Sequence, residues 1–304
     1  MTQKETRPEI LQPSAYSLRF MPQRLTRAID WHGHLSFAAW LVELMEPKSI
    51  VELGVFRGDS LSTFSQAVKE CKVNCEITGV DTWGGDDTTG RYNEEVYHDL
   101  KDFFATNFPS TTLFRGLFDD ALSTFEDNSI EILHIDGCHH YEAVKHDFET
   151  WLPKLSKDKG VVLFHDISVA IEGFGAKQYW NEIKDSYPSF SFSHSNGLGV
   201  LLVGRNQVKA LAELTQDAQA LDYARAIFEL SGSRFHHLAK EKWWRDEANK
   251  HAESLSYTTE QLGANLSNMV SEHVANYLNN MDLTASLPTV EAPKSIIKRI
   301  ADKF

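Results

Sequence analysis

Two short runs hold most of the side chains able to move a proton or bind a cation. They are His134-Ile-Asp136-Gly-Cys138-His139-His140-Tyr141-Glu142 and Phe164-His165-Asp166. Each falls where a strand-like apolar run ends, Ile130 to Asp136 and Gly160 to His165, so Asp136, His139, His165 and Asp166 face one ligand edge. An alcohol is a poor nucleophile at neutral pH, and a histidine with an ordinary pKa of about 6.5 can take its proton. Asp136 and Asp166 are hard oxygen ligands that suit Mg²⁺, which would lower the alcohol's pKa and orient it. His139 is the first choice of base and His140, its neighbour, the second, with a capping or solvent-facing role as the alternative. His134 lies inside the strand and reads as a packed histidine. Nothing in the sequence lowers the pKa of Cys138, so it is not read as a nucleophile.

A second constellation is Val51-Glu52-Leu-Gly54-Val-Phe-Arg-Gly58, with Asp81 closing the apolar run Ile77 to Val80. It reads as a strand, a glycine turn, a helix and a second strand ending in a carboxylate, which places a backbone-lined pocket at the carboxyl edge of a parallel sheet. The glycine spacing is G-x-x-x-G rather than G-x-G-x-x-G, which favours a ligand without a pyrophosphate.

The elements that must position these groups follow from periodicity. Strands are expected near Ser49 to Leu53, Glu76 to Asp81, Thr112 to Arg115, Ile130 to Asp136 and Gly160 to His165. Helices are expected over Leu35 to Leu44, stopped by Pro47, and near Ser60 to Glu70, Glu94 to Asn107, Tyr141 to Leu155 and Ala176 to Asp185. This alternation predicts an α/β fold with a doubly wound, mostly parallel sheet. Ser195-Asn196-Gly197, between Phe190 to His194 and Leu198 to Val203, signals a hairpin and an antiparallel last strand.

Residues 1–30, with Pro8, Pro13 and Pro22, are expected to form an extended N-terminal arm, 31–205 the sheet domain and 206–304 a helical C-terminal extension. In that extension Leu255, Leu262, Leu266, Met269 or Val270, Val274, Tyr277 and Met281 form a helical stripe, read as a core or an oligomer seam. Pro288 and Pro293 mark a linker, and the basic Ser295 to Phe304 reads as a solvated amphipathic helix. The 304 residues carry 43 Asp and Glu against 30 Lys and Arg, a net −13 that argues against a nucleic-acid partner. Three cysteines, Cys71, Cys75 and Cys138, form no even disulfide framework, and no run approaches the roughly 20 apolar residues of a membrane span. A cytoplasmic protein is expected, with peripheral contact at the inner membrane face as the alternative.

The Glu52-x-Gly54-x-x-x-Gly58 turn with distal Asp81 resembles the cofactor motif of class I S-adenosylmethionine-dependent methyltransferases. On that resemblance the sheet has seven strands, Gly54 and Gly58 leave room for the cofactor's amino-acid end, Glu52 fixes the loop and Asp81 accepts from the ribose hydroxyls. Asp119 and Asp120 meet the adenine edge or cap a helix, and Trp83, beside Gly84 and Gly85, stacks on adenine or sugar or packs as a lid. Asp86 and Asp87 bind acceptor hydroxyls or stay solvated. The series from Asp136 to Val144, then Asp147, Trp151, Pro153, Gly160 to Asp166, Phe174-Gly, Trp180 and Gly197-Leu-Gly-Val-Leu is similar to methyltransferases found beside or fused to glycosyltransferases of bacterial surface polysaccharides. The same layout is shared with metal-dependent sugar O-methyltransferases of antibiotic biosynthesis.

That resemblance implies S-adenosylmethionine as cofactor, Mg²⁺ on Asp136 and Asp166, and O-antigen-like glycans or sugar nucleotides as acceptors. It also implies glycosyltransferases of the same pathway as partners. His165 stands where those enzymes have the other acid of a pair, and Cys138 where some place an acidic base, a role moved here to His139. Two other readings stay open: an NAD(P)-dependent sugar-modifying enzyme, opposed by the missing dinucleotide fingerprint and the final hairpin, and a non-catalytic scaffold of a glycan-assembly complex.

Overall fold

The computed structural model describes residues 13–86 and 90–280. A short helix α1 (Ala15–Arg19) and a 3-10 segment (Ile29–His34) lead into α2 (Leu35–Met45). There follow β1 (Ser49–Leu53), α3 (Asp59–Cys71), β2 (Glu76–Asp81), a small ribbon of β3 (Gly85–Asp86) and β4 (Gly90–Arg91), α4 (Glu94–Asn107), β5 (Thr111–Arg115) and α5 (Phe118–Ala121). The chain continues through β6 (Ile132–Ile135), α6 (Tyr141–Trp151), β7 (Val161–His165), α7 (Ala176–Ile183), β8 (Ser189–Phe192), β9 (Leu198–Leu202), α8 (Lys209–Leu214) and α9 (Ala218–Asn279).

Seven strands form one sheet in the order β5-β2-β1-β6-β7-β9-β8. All neighbours are parallel except β9, which runs antiparallel to both β7 and β8. This is a doubly wound, mostly parallel sheet, with the last strand inserted beside the edge. β6, β7 and β9 are buried along their whole length, which is why each is a continuous apolar run rather than an alternating one. The strand order reverses between β1 and β6, and at such a switch point the carboxyl ends of the strands leave a crevice. The glycine turn and the Asp136 run flank that point.

The helix α2 is apolar on nearly every face because it is buried: Leu35, Phe37, Leu41 and Val42 are fully enclosed. It ends at Glu46, whose φ of 45° is left-handed, immediately before Pro47. Part of its cover comes from the segment expected to be an extension. Phe228 of α9 lies 5.4 Å from the rings of both Phe37 and Trp40, and Leu211 and Leu214 of α8 join the same core.

Two compact units divide between Trp243 and Trp244, so the sheet domain reaches well past residue 205. In the second unit the stripe residues Leu255 to Tyr277 are 52 to 68 % exposed. The arm is not fully extended either. Beyond α1, Thr26 donates from its amide (2.7 Å) and hydroxyl (2.6 Å) to Asp59, and Gln23 from its amide to Gln66 (2.8 Å), binding the arm to α3. The readings of residues 1–12, Asp87, Met281, Pro288, Pro293 and Ser295 to Phe304 lie outside the described residues. No helix among the described residues is long and apolar enough to cross a membrane.

Candidate active site

The turn after β1 is built by chain crossings. Gly54 has a φ of +88°, and a Cβ there would meet the Asp136 carbonyl oxygen at 2.0 Å. Gly58, at φ +77°, would drive a Cβ to 2.4 Å from Leu100 Cδ1 of α4. Both positions need glycine for backbone and helix packing, and both also line the cavity where the sequence suggested clearance for a ligand. Asp81 ties the turn down. Its Oδ2 accepts from the amides of Val55 (2.9 Å) and Phe56 (2.8 Å), and its Oδ1 from the Trp83 amide (2.6 Å). With two acceptor sites on each oxygen, only one on Oδ1 is left for a ligand hydroxyl.

Four residues assigned to the cofactor stand elsewhere. Glu52 is fully buried away from the cavity; Ser60 Oγ donates to its Oε1 at 2.7 Å and His134 Nδ1 lies 3.3 Å from its Oε2. Burial raises its pKa, against the pull of His134 and Ser60. Trp31 Nε1 donates to His134 Nε2 (3.0 Å), which leaves Nδ1 to carry the proton toward Glu52. Trp83 is 1 % exposed, with its indole donating to the Phe56 carbonyl (3.0 Å); it is pinned in the core and does not line the cavity. Asp119 turns outward to His146 at 3.0 Å, and Asp120 accepts from the Leu117 amide at 3.3 Å as an N-terminal cap of α5. The capping alternative holds for Asp120, and neither acid reaches the cavity.

Across the switch point the chemistry-bearing groups meet. His139 Nε2 lies 2.6 Å from Asp166 Oδ2 and 3.9 Å from Asp136 Oδ1. Its ring stacks on Phe174 with centroids 4.6 Å apart and planes 16° from parallel. Asp166 sits at φ +61°, a strained conformation for a residue with a Cβ, held where β7 ends. His165 Nε2 lies 3.1 Å from the Ser195 carbonyl oxygen, so it must donate there. Its Nδ1 then faces Asp136 Oδ1 at 3.1 Å and Asp166 Oδ1 at 3.3 Å. Burial would lower the pKa of His165, but the charge of Asp136 and hydrogen bonds to both carboxylates raise it well above the usual imidazole range. Burial would likewise raise Asp166, yet His139 and His165 hold it far below the usual carboxylate range.

Two carboxylates facing an imidazole nitrogen that cannot donate elsewhere require a positive charge between them, a proton or a cation. Ligand atoms of Asp136, His165 and Asp166 lie within 4.8 Å of one another, so the three fit a divalent ion. His140, the second choice of base, is exposed at the start of α6; its Nδ1 lies 2.9 Å from the Gly173 carbonyl oxygen and it holds a loop instead of entering the site.

One cavity of about 510 Å³ joins these groups to the Gly54–Gly58 turn and Asp81. Its walls include Asp30, Trp31, Phe118, Asp147, Phe174 and Asn196, to which the residue types and spacings had assigned no role. Asn196 follows Ser195 in a turn whose three residues all have positive φ, so its hairpin signal was also a site signal. For Asp147 the signal was an acid within the apolar stripe Val144, Phe148 and Trp151 of α6.

Residues 51–167 match the family model described as a methyltransferase domain. Over 208 residues the chain is 41% identical to "Uncharacterized protein y4gI" of Sinorhizobium fredii (strain NBRC 101917 / NGR234), a match covering 67% of this chain. The match covers 23% of that protein, so the chain spans about a quarter of the length of this curated relative. Among solved structures it is similar to the O-methyltransferase TomG from Streptomyces achromogenes, involved in tomaymycin synthesis and solved in complex with SAM (13% identity, 60% of this chain, 91% of that chain, TM-score 0.42). It is also similar to apo CalS11, a TDP-rhamnose 3'-O-methyltransferase of calicheamicin biosynthesis (22% identity, 55% of this chain, 76% of that chain, TM-score 0.40).

Proposed function

We propose that the chain is an S-adenosylmethionine-dependent O-methyltransferase that acts in the cytoplasm on a sugar hydroxyl of a glycan or glycan precursor, in the assembly of bacterial surface polysaccharide. The observation that carries this reading is the single cavity in which the Asp81-clamped turn and the His139–Asp166 pair share walls. The methyltransferase-domain match over residues 51–167 supports it. Asp30, Arg57, Tyr92 and Asn196, polar groups on the same walls, suit an acceptor rich in hydroxyls.

The sulfonium methyl is already activated, so the protein has to align it with the acceptor oxygen and remove one proton. As the carbon–oxygen bond forms, the carbon–sulfur bond breaks and its electron pair stays on sulfur, giving the thioether product. The hydroxyl proton passes to the His139 ring, and the Asp166 carboxylate stabilises the imidazolium that results, while Phe174 keeps the ring plane fixed. Asp136, Asp166 and His165 would hold a divalent cation, which supplies Lewis-acid stabilisation of the developing alkoxide.

The test is incubation with labelled S-adenosylmethionine and a panel of sugar-nucleotide and lipid-linked glycan acceptors, with and without EDTA, followed by mass spectrometry. A mass gain of one methyl on a sugar oxygen is expected. Tight binding of NAD with none of S-adenosylhomocysteine would overturn the reading.

A further inference from the structure

The turn that joins β8 to β9 is tied to the reactive centre by its backbone. Ser195, Asn196 and Gly197 all lie in the left-handed region, with φ of 47°, 65° and 89°. Two successive residues with a Cβ are costly there, so surrounding contacts have to hold the turn in place. The Ser195 hydroxyl accepts from the Gly33 amide at 3.1 Å. Its carbonyl oxygen faces Nε2 of both His34 and His165 at 3.1 Å, which fills its two acceptor sites. The Asn196 carbonyl accepts from the Ser168 amide at 2.8 Å, and the Gly197 amide donates to the His194 carbonyl at 2.9 Å. His165 and Ser168 stand on either side of Asp166 in the chain, so the turn is bound on both flanks of that carboxylate.

The Asn196 side chain is left out of this bonding. It lines the cavity, is exposed, and makes no hydrogen bond to any described residue. Other polar groups on the walls are engaged: Asp59 accepts from Thr26 and faces His32, Ser60 donates to Glu52, and Asp81 holds three amides. Asparagine tolerates the left-handed region, but a glycine would adopt it at lower cost, and nothing in the turn uses the carboxamide. That group presents a donor and an acceptor together, which matches a hydroxyl, itself both donor and acceptor.

Resting on the O-methyltransferase reading, we propose that Asn196 selects the acceptor by binding the sugar hydroxyl next to the one that is methylated. The ligand class is a vicinal diol: one hydroxyl meets the His139–Asp166 pair, and its ring neighbour meets the Asn196 carboxamide. Only one peptide unit separates Asn196 from the carbonyl that holds His165, a short reach that suits adjacent ring oxygens.

The test is single-turnover methyl transfer from labelled S-adenosylmethionine to the sugar nucleotide or lipid-linked glycan methylated in the panel above. The second acceptor is its analogue lacking the hydroxyl beside the methylated one. The unaltered protein should favour the complete acceptor by about tenfold in kcat/KM, the worth of one good hydrogen bond. Asn196→Gly, which keeps the left-handed backbone and removes the carboxamide, should bring that ratio to about one with S-adenosylhomocysteine affinity unchanged. Asn196→Ala should do the same if the glycine variant fails to fold. A merely structural turn would slow both acceptors alike, so an unchanged ratio in the variant overturns the assignment and leaves the methyltransferase reading standing. So does a ratio near one in the unaltered protein. Absence of methyl transfer to every acceptor in the panel overturns both.

Discussion

The carboxylates on the two sides of the switch point are held in opposite ways. Asp81, at the end of β2, is fixed by three backbone amides, whereas Asp136 and Asp166, at the ends of β6 and β7, are fixed by imidazoles. Amide partners keep their protons at any pH met in a cell, so Asp81 builds the turn and has nothing to exchange. Imidazole partners can take up or give away a proton in a way that a backbone amide cannot, so the second pair can take part in a reaction. The same residue type at the same kind of strand end is a clamp in one place and a chemical group in the other, and the partner decides which.

The largest expected effect falls on the imidazole side. His139→Ala should lower turnover by roughly a hundred- to ten-thousandfold in a single-turnover methyl-transfer assay, while S-adenosylhomocysteine affinity stays nearly unchanged. If affinity fell in parallel, His139 would belong with the clamp and the contrast would fail.

Asp81→Ala is expected to reverse that split. It strands the amides of Val55, Phe56 and Trp83, each at a cost of about 1 to 3 kcal/mol if left unpaired, so calorimetry should show weaker S-adenosylhomocysteine binding and melting should show a less stable fold. On the metal question, EDTA should suppress turnover and added Mg²⁺ or Mn²⁺ restore it, a response that Asp136→Ala abolishes. Turnover unaffected by EDTA would leave the proton on His165 as the sole charge between the carboxylates.

A smaller effect sharpens the comparison with an acid that has neither kind of partner. The folded pKa of Asp147 lies above its unfolded value near 3.8, so its favourable contribution is present below that value and is lost as pH rises through about 7. Asp147→Leu should therefore raise the stability against unfolding at about pH 8, by an amount on the order of 2 kcal/mol followed by denaturant melts, and have little effect of this origin near pH 4. Smallest for catalysis is the second unit: a chain ending at Trp243 should keep its turnover. Its exposed stripe calls for cover, and a second copy would supply it, so light scattering should give the full chain a multiple of the shortened chain's mass.

Much of the sheet was legible because its inner strands are largely buried and their apolar runs are bounded by turn residues; β1, β2 and α4 fall at the limits expected. The acids and histidines at β6 and β7 were legible for a related reason, since a parallel strand aims whatever follows its last apolar residue at the carboxyl edge. Three-dimensional crossings were not. Spacing alone does not show that Gly54 must also clear the Asp136 carbonyl, nor does it tell an exposed tryptophan from Trp83, whose indole closes on Phe56. Asp119 and Asp120 carried the right chemistry on the wrong element, because whether a side chain points into or out of a crevice depends on where α5 starts. For α9 the periodicity is alike throughout, and only packing separates Phe228, which is enclosed, from Leu255, which is 68 % exposed.

The contact of Gly232 with Gly33 sets a mechanical tolerance on the site. A Cβ at position 232 would stand 2.0 Å from the Gly33 carbonyl oxygen, so α9 rests there like a shim with no spare thickness. Gly33 in turn donates its amide to Ser195 Oγ (3.1 Å), and the Ser195 carbonyl is the acceptor that keeps a proton on Nε2 of His165. A single added methyl on a helix far from the chemistry would thus push on the part that decides which nitrogen of His165 looks at the two carboxylates, and the outer helix acts as a gauge for the reactive centre.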